Sequence, residues 1–166
     1  MSQKNLLIDL EYCHGCRACE VACKQEFNIP VGIKWINVVK VGPRMVRGKL
    51  KMDFVPMRCL HCAKAPCIDA CPEKAITKRS DGIVLINPQL CNGCMACFEA
   101  CPFGVIQLNP SKRVAEKCNL CVHRIDAGLE PACVHHCPAK CMYFGDINDL
   151  MKIIQDKEAK HMVEGV

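Results

Sequence analysis

The stretch Cys91-Asn92-Gly93-Cys94-Met95-Ala96-Cys97-Phe98-Glu99-Ala100-Cys101-Pro102 decides the reading of this chain. Its thiols stand at i, i+3, i+6 and i+10, and the run ends on proline. Three thiols so spaced in a tight loop can reach three corners of a cubane iron–sulfur cluster. The fourth corner needs a thiolate from elsewhere, and in the bacterial run of this form the last cysteine ligates the other cluster of a two-cluster module. Gly93 falls where the loop must turn sharply, a conformation glycine tolerates best. Ala96 is small, so the backbone can approach and aim N–H groups at sulfur, which tunes potential. Pro102 closes the run with a rigid residue that donates no hydrogen bond.

Three more runs of four accompany it: Cys13-x2-Cys16-x2-Cys19-x3-Cys23 at the same spacing, and, with a longer gap before the third thiol, Cys59-x2-Cys62-x4-Cys67-x3-Cys71-Pro72 and Cys118-x2-Cys121-x11-Cys133-x3-Cys137-Pro138. Gly15 and Ala18 repeat the glycine and alanine of the quoted run, whereas Cys23 is followed by Lys24 and not by proline. Sixteen of the 17 cysteines belong to these runs, and only Cys141 is left over, as a small buried hydrophobe. Other uses of cysteine fit worse. A disulfide framework belongs to an oxidising compartment and usually follows a secretory signal, and none is visible. Zinc takes paired C-x2-C units, four ligands to a site, and does not explain a repeated run of four. No C-x-x-C here continues into the histidine of a haem attachment site, and a thioredoxin-type dithiol needs one such pair, not a battery.

The 166 residues allow one domain or two small ones. Apolar residues make up 51%, but that figure includes the cysteines, so the conventional core is thin and inorganic centres must share the work of folding. The formal charge is +5. Four oxidised cubanes on thiolates, at about −2 apiece, would turn it to roughly −3. Basic runs such as Lys78-Arg79 and Lys112-Arg113 are short and lack interleaved aromatics, which argues against nucleic acid. No apolar run approaches the ~20 residues of a membrane span. No targeting segment is visible in the 12 residues before Cys13, so the expected location is the reducing cytoplasm.

The order of the runs suggests an α+β fold, a nested or tandem pair of bacterial two-cluster ferredoxin modules. Residues 50–108 would form an inner module from runs two and three. Residues 1–36 and 109–166 would form an outer one from runs one and four, with 37–49 an insert; the stretch from Val38-Val39-Lys40-Val41-Gly42-Pro43 through Lys49-Leu50-Lys51-Met52-Asp53-Phe54-Val55-Pro56 reads as a β-hairpin with a loose tip. Asp81-Gly82, flanked by apolar β-formers from Ala75 to Pro88, reads as a further hairpin. Pro110-Ser111-Lys112 reads as a loop back to the fourth run. Asp149 to about His161 reads as a short amphipathic helix with Leu150, Met151, Ile153 and Ile154 inward.

The runs, together with Lys117-Cys118-Asn119-Leu120-Cys121-Val122-His123-Arg124, Gly128-Leu129-Glu130-Pro131-Ala132-Cys133-Val134 and Phe144-Gly145-Asp146, resemble the four-cluster iron–sulfur subunit of the dimethyl sulfoxide reductase type. His61 before Cys62 and Ala65-Pro66 before Cys67 fit as well. The resemblance covers the chain from Leu7 to about Asp149. It implies four [4Fe-4S] clusters with crosswise ligation. The first would take Cys13, Cys16, Cys19 and Cys137; the second Cys118, Cys121, Cys133 and Cys23; the third Cys59, Cys62, Cys67 and Cys101; the fourth Cys91, Cys94, Cys97 and Cys71. It also implies that the clusters follow one another in that order, the first nearest a catalytic partner.

Complete cysteine ligation leaves no open iron for substrate, and no nucleotide loop or nucleophile motif appears. The expected function is therefore single-electron transfer by a non-catalytic subunit of an oxidoreductase complex. One partner would be a molybdenum- or tungsten-pterin enzyme. The other would be a flavoprotein, a hydrogenase or a quinone-linked subunit. The alternatives are a stand-alone or self-associating polyferredoxin, or the electron-transfer subunit of a hydrogenase or carbon-monoxide dehydrogenase system. His61, His123, His135 and His136 sit in cluster loops as hydrogen-bonding residues rather than ligands. Glu20, Glu26, Glu73 and Glu99 read as solvated helix faces.

Overall fold

Every strand pairs with a single antiparallel neighbour, and the strands ending at Ile8, Arg58, Ile86 and Glu116 each run on into a cysteine loop. The computed structural model describes residues 3–164. In chain order the elements are β1 (Lys4–Ile8), α1 (Ala18–Phe27), β2 (Ile36–Val46), β3 (Lys49–Arg58), α2 (Pro66–Asp69), β4 (Ile76–Lys78), β5 (Val84–Ile86), α3 (Ala96–Glu99), β6 (Gln107–Asn109), β7 (Val114–Glu116), α4 (Val122–Asp126), α5 (Ala132–His135), β8 (Met142–Asp146) and α6 (Ile147–Glu164). The ribbons are β1–β8, β2–β3, β4–β5 and β6–β7. An isolated two-stranded ribbon is marginal in water. The β1–β8 ribbon is packed by α5 and α6, β2 by α1 and β4 by α2.

The β1–β8 ribbon joins two remote stretches, from Lys4 opposite Asp146 to Ile8 opposite Met142. The apolar core beneath it gathers Leu6, Ile83, Leu120, Val134 and Met142 with Cys19, Cys23, Cys133 and Cys137. A second core holds Ile76, Val84, Ile106 and Ala115 with Cys67 and Cys97. Cys59, Val105 and Cys118 pack together between the two.

Several boundaries differ from the sequence expectation. The insert hairpin runs from Ile36 to Arg58, two residues beyond the expected Val38–Pro56 at each end and past the 37–49 bounds of the insert, since a return strand must match the length of the outgoing one. Residues 50–58, expected in the inner module, are that return strand. Pro110-Ser111-Lys112 is the tip of β6–β7, closed by the buried Asn109, whose Oδ1 accepts the Ser111 and Lys112 N–H groups at 3.1 and 3.2 Å. Helix α6 is longer than expected, and Leu150 is its one buried residue while Met151 and Ile153 are 47% and 37% exposed. Its main partners are β1 and β8, with Lys157 reaching Asp9 just beyond β1, so a narrow stripe suffices. Among the described residues no helix is long and apolar enough to cross a membrane.

Glu20 is buried, not solvated. Its carboxylate accepts the Val38 N–H at 2.6 Å and the Lys34 ammonium at 2.7 Å, tying α1 to the start of the hairpin. Glu26, at the other end of α1, meets His123 at 2.7 Å and Arg124 at 3.3 Å. The hydrogen bond from His123, then the Arg124 charge, hold its carboxyl below the usual range.

Two expected outcomes follow. Glu20→Ala strands a buried backbone donor and an ammonium, a loss of about 1–3 kcal/mol. It should bleach the iron–sulfur absorbance at a lower guanidinium concentration than wild type. Gly93 has φ +74°, and a Cβ there would collide with the Arg113 carbonyl, whereas at Gly104, φ +57°, it would meet nothing within 4 Å. Gly104→Ala should therefore cost only the left-handed strain of about 1–2 kcal/mol. Gly93→Ala should cost distinctly more in the same assay.

Candidate functional site

Each cysteine run makes the same local shape. The residue just before the second cysteine is left-handed in all four: Gly15 (φ 68°), His61 (φ 49°), Gly93 (φ 74°) and Leu120 (φ 59°). Sequence inspection finds only the glycines. At Gly15 a Cβ would strike the Phe54 ring, and at Gly93 the Arg113 carbonyl, so glycine is needed for space as well. His61 and Leu120 accept the strain because their side chains are buried in the core.

The third cysteine of each run, Cys19, Cys67, Cys97 or Cys133, then lies on the second residue of a helix. The fourth follows four residues later. In runs two and three the third and fourth thiols line different cavities, Cys67 with Cys101 and Cys97 with Cys71. Backbone N–H groups point at the sulfurs of Cys71, Cys91 and Cys118, from Ala75 (3.3 Å), Ala115 (3.4 Å) and Leu120 (3.4 Å).

The cysteines gather in groups that cross the runs. Cys59, Cys62, Cys67 and Cys101 line one cavity with Leu60, Phe103 and Ile106. Cys91, Cys94, Cys97 and Cys71 line another with Ile76, Ile86 and Met95. Cys118, Cys121, Cys133 and Cys23 line a third with Phe27, Trp35 and Ile36. Cys13, Cys19 and Cys137 belong to the core under β1–β8, and Cys16 is exposed beside them. Cys141 is buried there too, its sulfur 3.6 Å from that of Cys137.

Burial pushes the Cys19 thiol up to about 12 and those of Cys97 and Cys121 to about 11. Cys23 is also raised, first by burial and then by Cys118, Cys133 and Cys121. A metal that takes the thiolate displaces the proton. No three His, Cys, Asp or Glu side chains among the described residues close tightly enough round a point for a single ion. Four sulfurs spread round an apolar space fit a polynuclear cluster rather than a lone zinc.

Three polar side chains stand among the cavities. His61 accepts the Val84 N–H on Nδ1 at 3.0 Å, so its proton sits on Nε2, a buried donor without a protein partner. Burial, then the charges of Lys117 and Arg58, hold its pKa at about 3, so the ring is neutral. Arg58 and Lys117 are themselves buried, and the sequence reading did not single them out. The available sign was a basic residue directly before Cys59 and another directly before Cys118. Among the other histidines, His123 pairs with Glu26, while His136 lies 2.9 Å from the Ala132 carbonyl and packs edge-on against His135.

These features have counterparts in known proteins. A 4Fe-4S dicluster domain matches residues 50–147, and a second 4Fe-4S dicluster domain matches residues 12–75. A protein of Halobacterium salinarum assigned as a dimethyl sulfoxide reductase iron–sulfur subunit is 39% identical over 90% of this chain and 68% of its own length. A polysulfide reductase component of Wolinella succinogenes is 38% identical over 87% of this chain and 76% of its own. The thiosulfate reductase electron transfer subunit of Salmonella typhi is 38% identical over 98% and 87%. With two dicluster domains the chain carries four [4Fe-4S] clusters. It belongs to the four-cluster, ferredoxin-like electron-transfer subunits of the dimethyl sulfoxide reductase iron–sulfur family.

Proposed function

We propose that this chain relays single electrons between a catalytic molybdenum- or tungsten-pterin oxidoreductase subunit and a second redox partner. The chain is a nested pair of two-cluster modules in this reading. The outer pair is held by Cys13, Cys16, Cys19 and Cys137 and by Cys118, Cys121, Cys133 and Cys23. The inner pair is held by Cys59, Cys62, Cys67 and Cys101 and by Cys91, Cys94, Cys97 and Cys71. Each cluster, when bound, takes up and gives away one electron at a time.

The observation that carries the proposal is the distribution of exposure. Cys16 and Cys94 are the two exposed cysteines, and they fall in the first and last of the four groups. The group of Cys118, Cys121, Cys133 and Cys23 is buried throughout. Contact is continuous between the ends: Cys19 and Cys23 share α1, Cys59 packs on Cys118, and Cys67 packs with Cys97. Exposed apolar residues flank both ends, Leu10 and Tyr12 near Cys13, Leu90 and Phe98 near Cys91. Such residues suit docking faces at each end.

The chain's own side chains do the holding and the shielding. The thiols keep metal in place, the backbone N–H groups steady the sulfur charge, and Trp35, Ile106 and Leu120 exclude water. Relatives named for polysulfide and thiosulfate reductases support a catalytic reductase as the partner at one end. A flavoprotein, hydrogenase or quinone-linked subunit suits the other. The cytoplasm suits a chain whose cysteines follow metal rather than disulfide spacing.

Anaerobically purified protein should contain about sixteen iron atoms per chain, measured against protein concentration. Zinc in their place, or iron near eight, would refute the reading. Cys23→Ala should damage the cluster of Cys118, Cys121 and Cys133 and spare that of Cys13, Cys16 and Cys19. Spectroscopy finding the reverse damage would show ligation within runs. Cys141→Ala should keep the full iron content even though its sulfur lies beside Cys137.

A further inference from the structure

Arg58 and Lys117 are each only 4% exposed. Among the described residues neither has a carboxylate within ion-pair distance; the acids near the core, Glu20 and Glu116, pair with Lys34 and Lys112. Arg58 gives its Nη hydrogens to the carbonyls of Cys59, at 2.7 Å, and Leu6, and its Nε–H has no protein partner. Lys117 donates to the carbonyls of Val84 and, at 3.2 Å, Cys118. Carbonyl dipoles solvate a cation without neutralising it, and a buried charge left unneutralised is costly. Two such cations a few residues from sixteen ligand thiols need an anion.

Their placement is crossed. Arg58 directly precedes Cys59, yet it lines the cavity of Cys118, Cys121, Cys133 and Cys23. Lys117 directly precedes Cys118, yet it lines the cavity of Cys59, Cys62, Cys67 and Cys101. The cavity of Cys91, Cys94, Cys97 and Cys71 has no cation among its lining residues and has Glu73 at its edge.

We propose that Arg58 and Lys117 are the built-in counter-charges of the two middle clusters, each serving the cluster of the other's cysteine run and making it easier to reduce than the cluster beside Glu73. The inference rests on the ligand groups of the proposed function. A cubane gains negative charge when it is reduced, so a fixed cation beside it favours the reduced form, and net local charge is one of the levers that sets iron–sulfur potentials. With Arg58 and Lys117 both between the second and third groups, the middle of the chain becomes the place where an electron rests. Both residues act through the clusters as positioning charges and do not touch a substrate.

The test is a redox titration of the anaerobic full-length protein followed by electron paramagnetic resonance, with iron measured on the same samples. Arg58→Gln and Lys117→Gln should each retain sixteen irons and lower a different one of the four midpoints. The fall should be at least tenfold in the reduction equilibrium, about 59 mV for a one-electron couple. The double variant should lower both, and the other two midpoints should stay. Midpoints unmoved at full iron content would overturn the counter-charge role while leaving the four-cluster reading intact. If a Gln variant sheds iron, Arg58→Lys and Lys117→Arg decide. Iron retained by these charge-keeping variants supports the role, and iron lost equally from them overturns it in favour of packing.

Discussion

The exchange of cysteines between runs governs this molecule. Cys101 lines the cavity of Cys59, Cys62 and Cys67, Cys71 that of Cys91, Cys94 and Cys97, and Cys23 that of Cys118, Cys121 and Cys133. These exchanges tie stretches remote in sequence to one another. The ribbons and the hydrophobic clusters fill the space between, in a chain with four separate two-stranded sheets and no central one.

The loops before the cysteine-bearing helices show a trade between conformation and burial. Four residues adopt the same left-handed corner, two as glycine and two as bulky side chains. Where the neighbouring ring or carbonyl is close, only glycine fits. Where the corner faces the interior, a side chain is worth its strain, and His61 and Leu120 both finish inside the protein. The corner is a property of the loop, and residue type there reports what lies opposite it.

This also marks what was readable from the sequence. The cysteine spacing, Gly15, Gly93 and the Asp81-Gly82 turn carry local rules, and each could be read without coordinates. His61 and Leu120 carry no turn propensity, so their corners were invisible. The tip at Pro110 looked like an open loop because its strands are three residues each, too short for alternation to register. Glu20 looked solvated because its partner, the Val38 N–H, is 18 residues away across a loop. Met151 and Ile153 looked inward because apolar spacing does not reveal how narrow a helix's contact will be. Arg58 and Lys117 were passed over since a basic residue beside a cysteine is ordinary until its burial is known. In each case the missing information was a distant neighbour.

The β1–β8 ribbon sets an order in time. During synthesis on the ribosome, the stretch from Cys59 to Cys101 emerges long before β8, and it contains every thiol of the two inner groups. Cys13, Cys16, Cys19 and Cys23 emerge first of all, yet their companions at Cys118, Cys121, Cys133 and Cys137 come last. Closing a loop of that length is slow compared with local pairing. On the ligation proposed above, the nascent chain would carry four early cysteines without their partners while the middle matures, and they would be completed only when the last strand closes against the first.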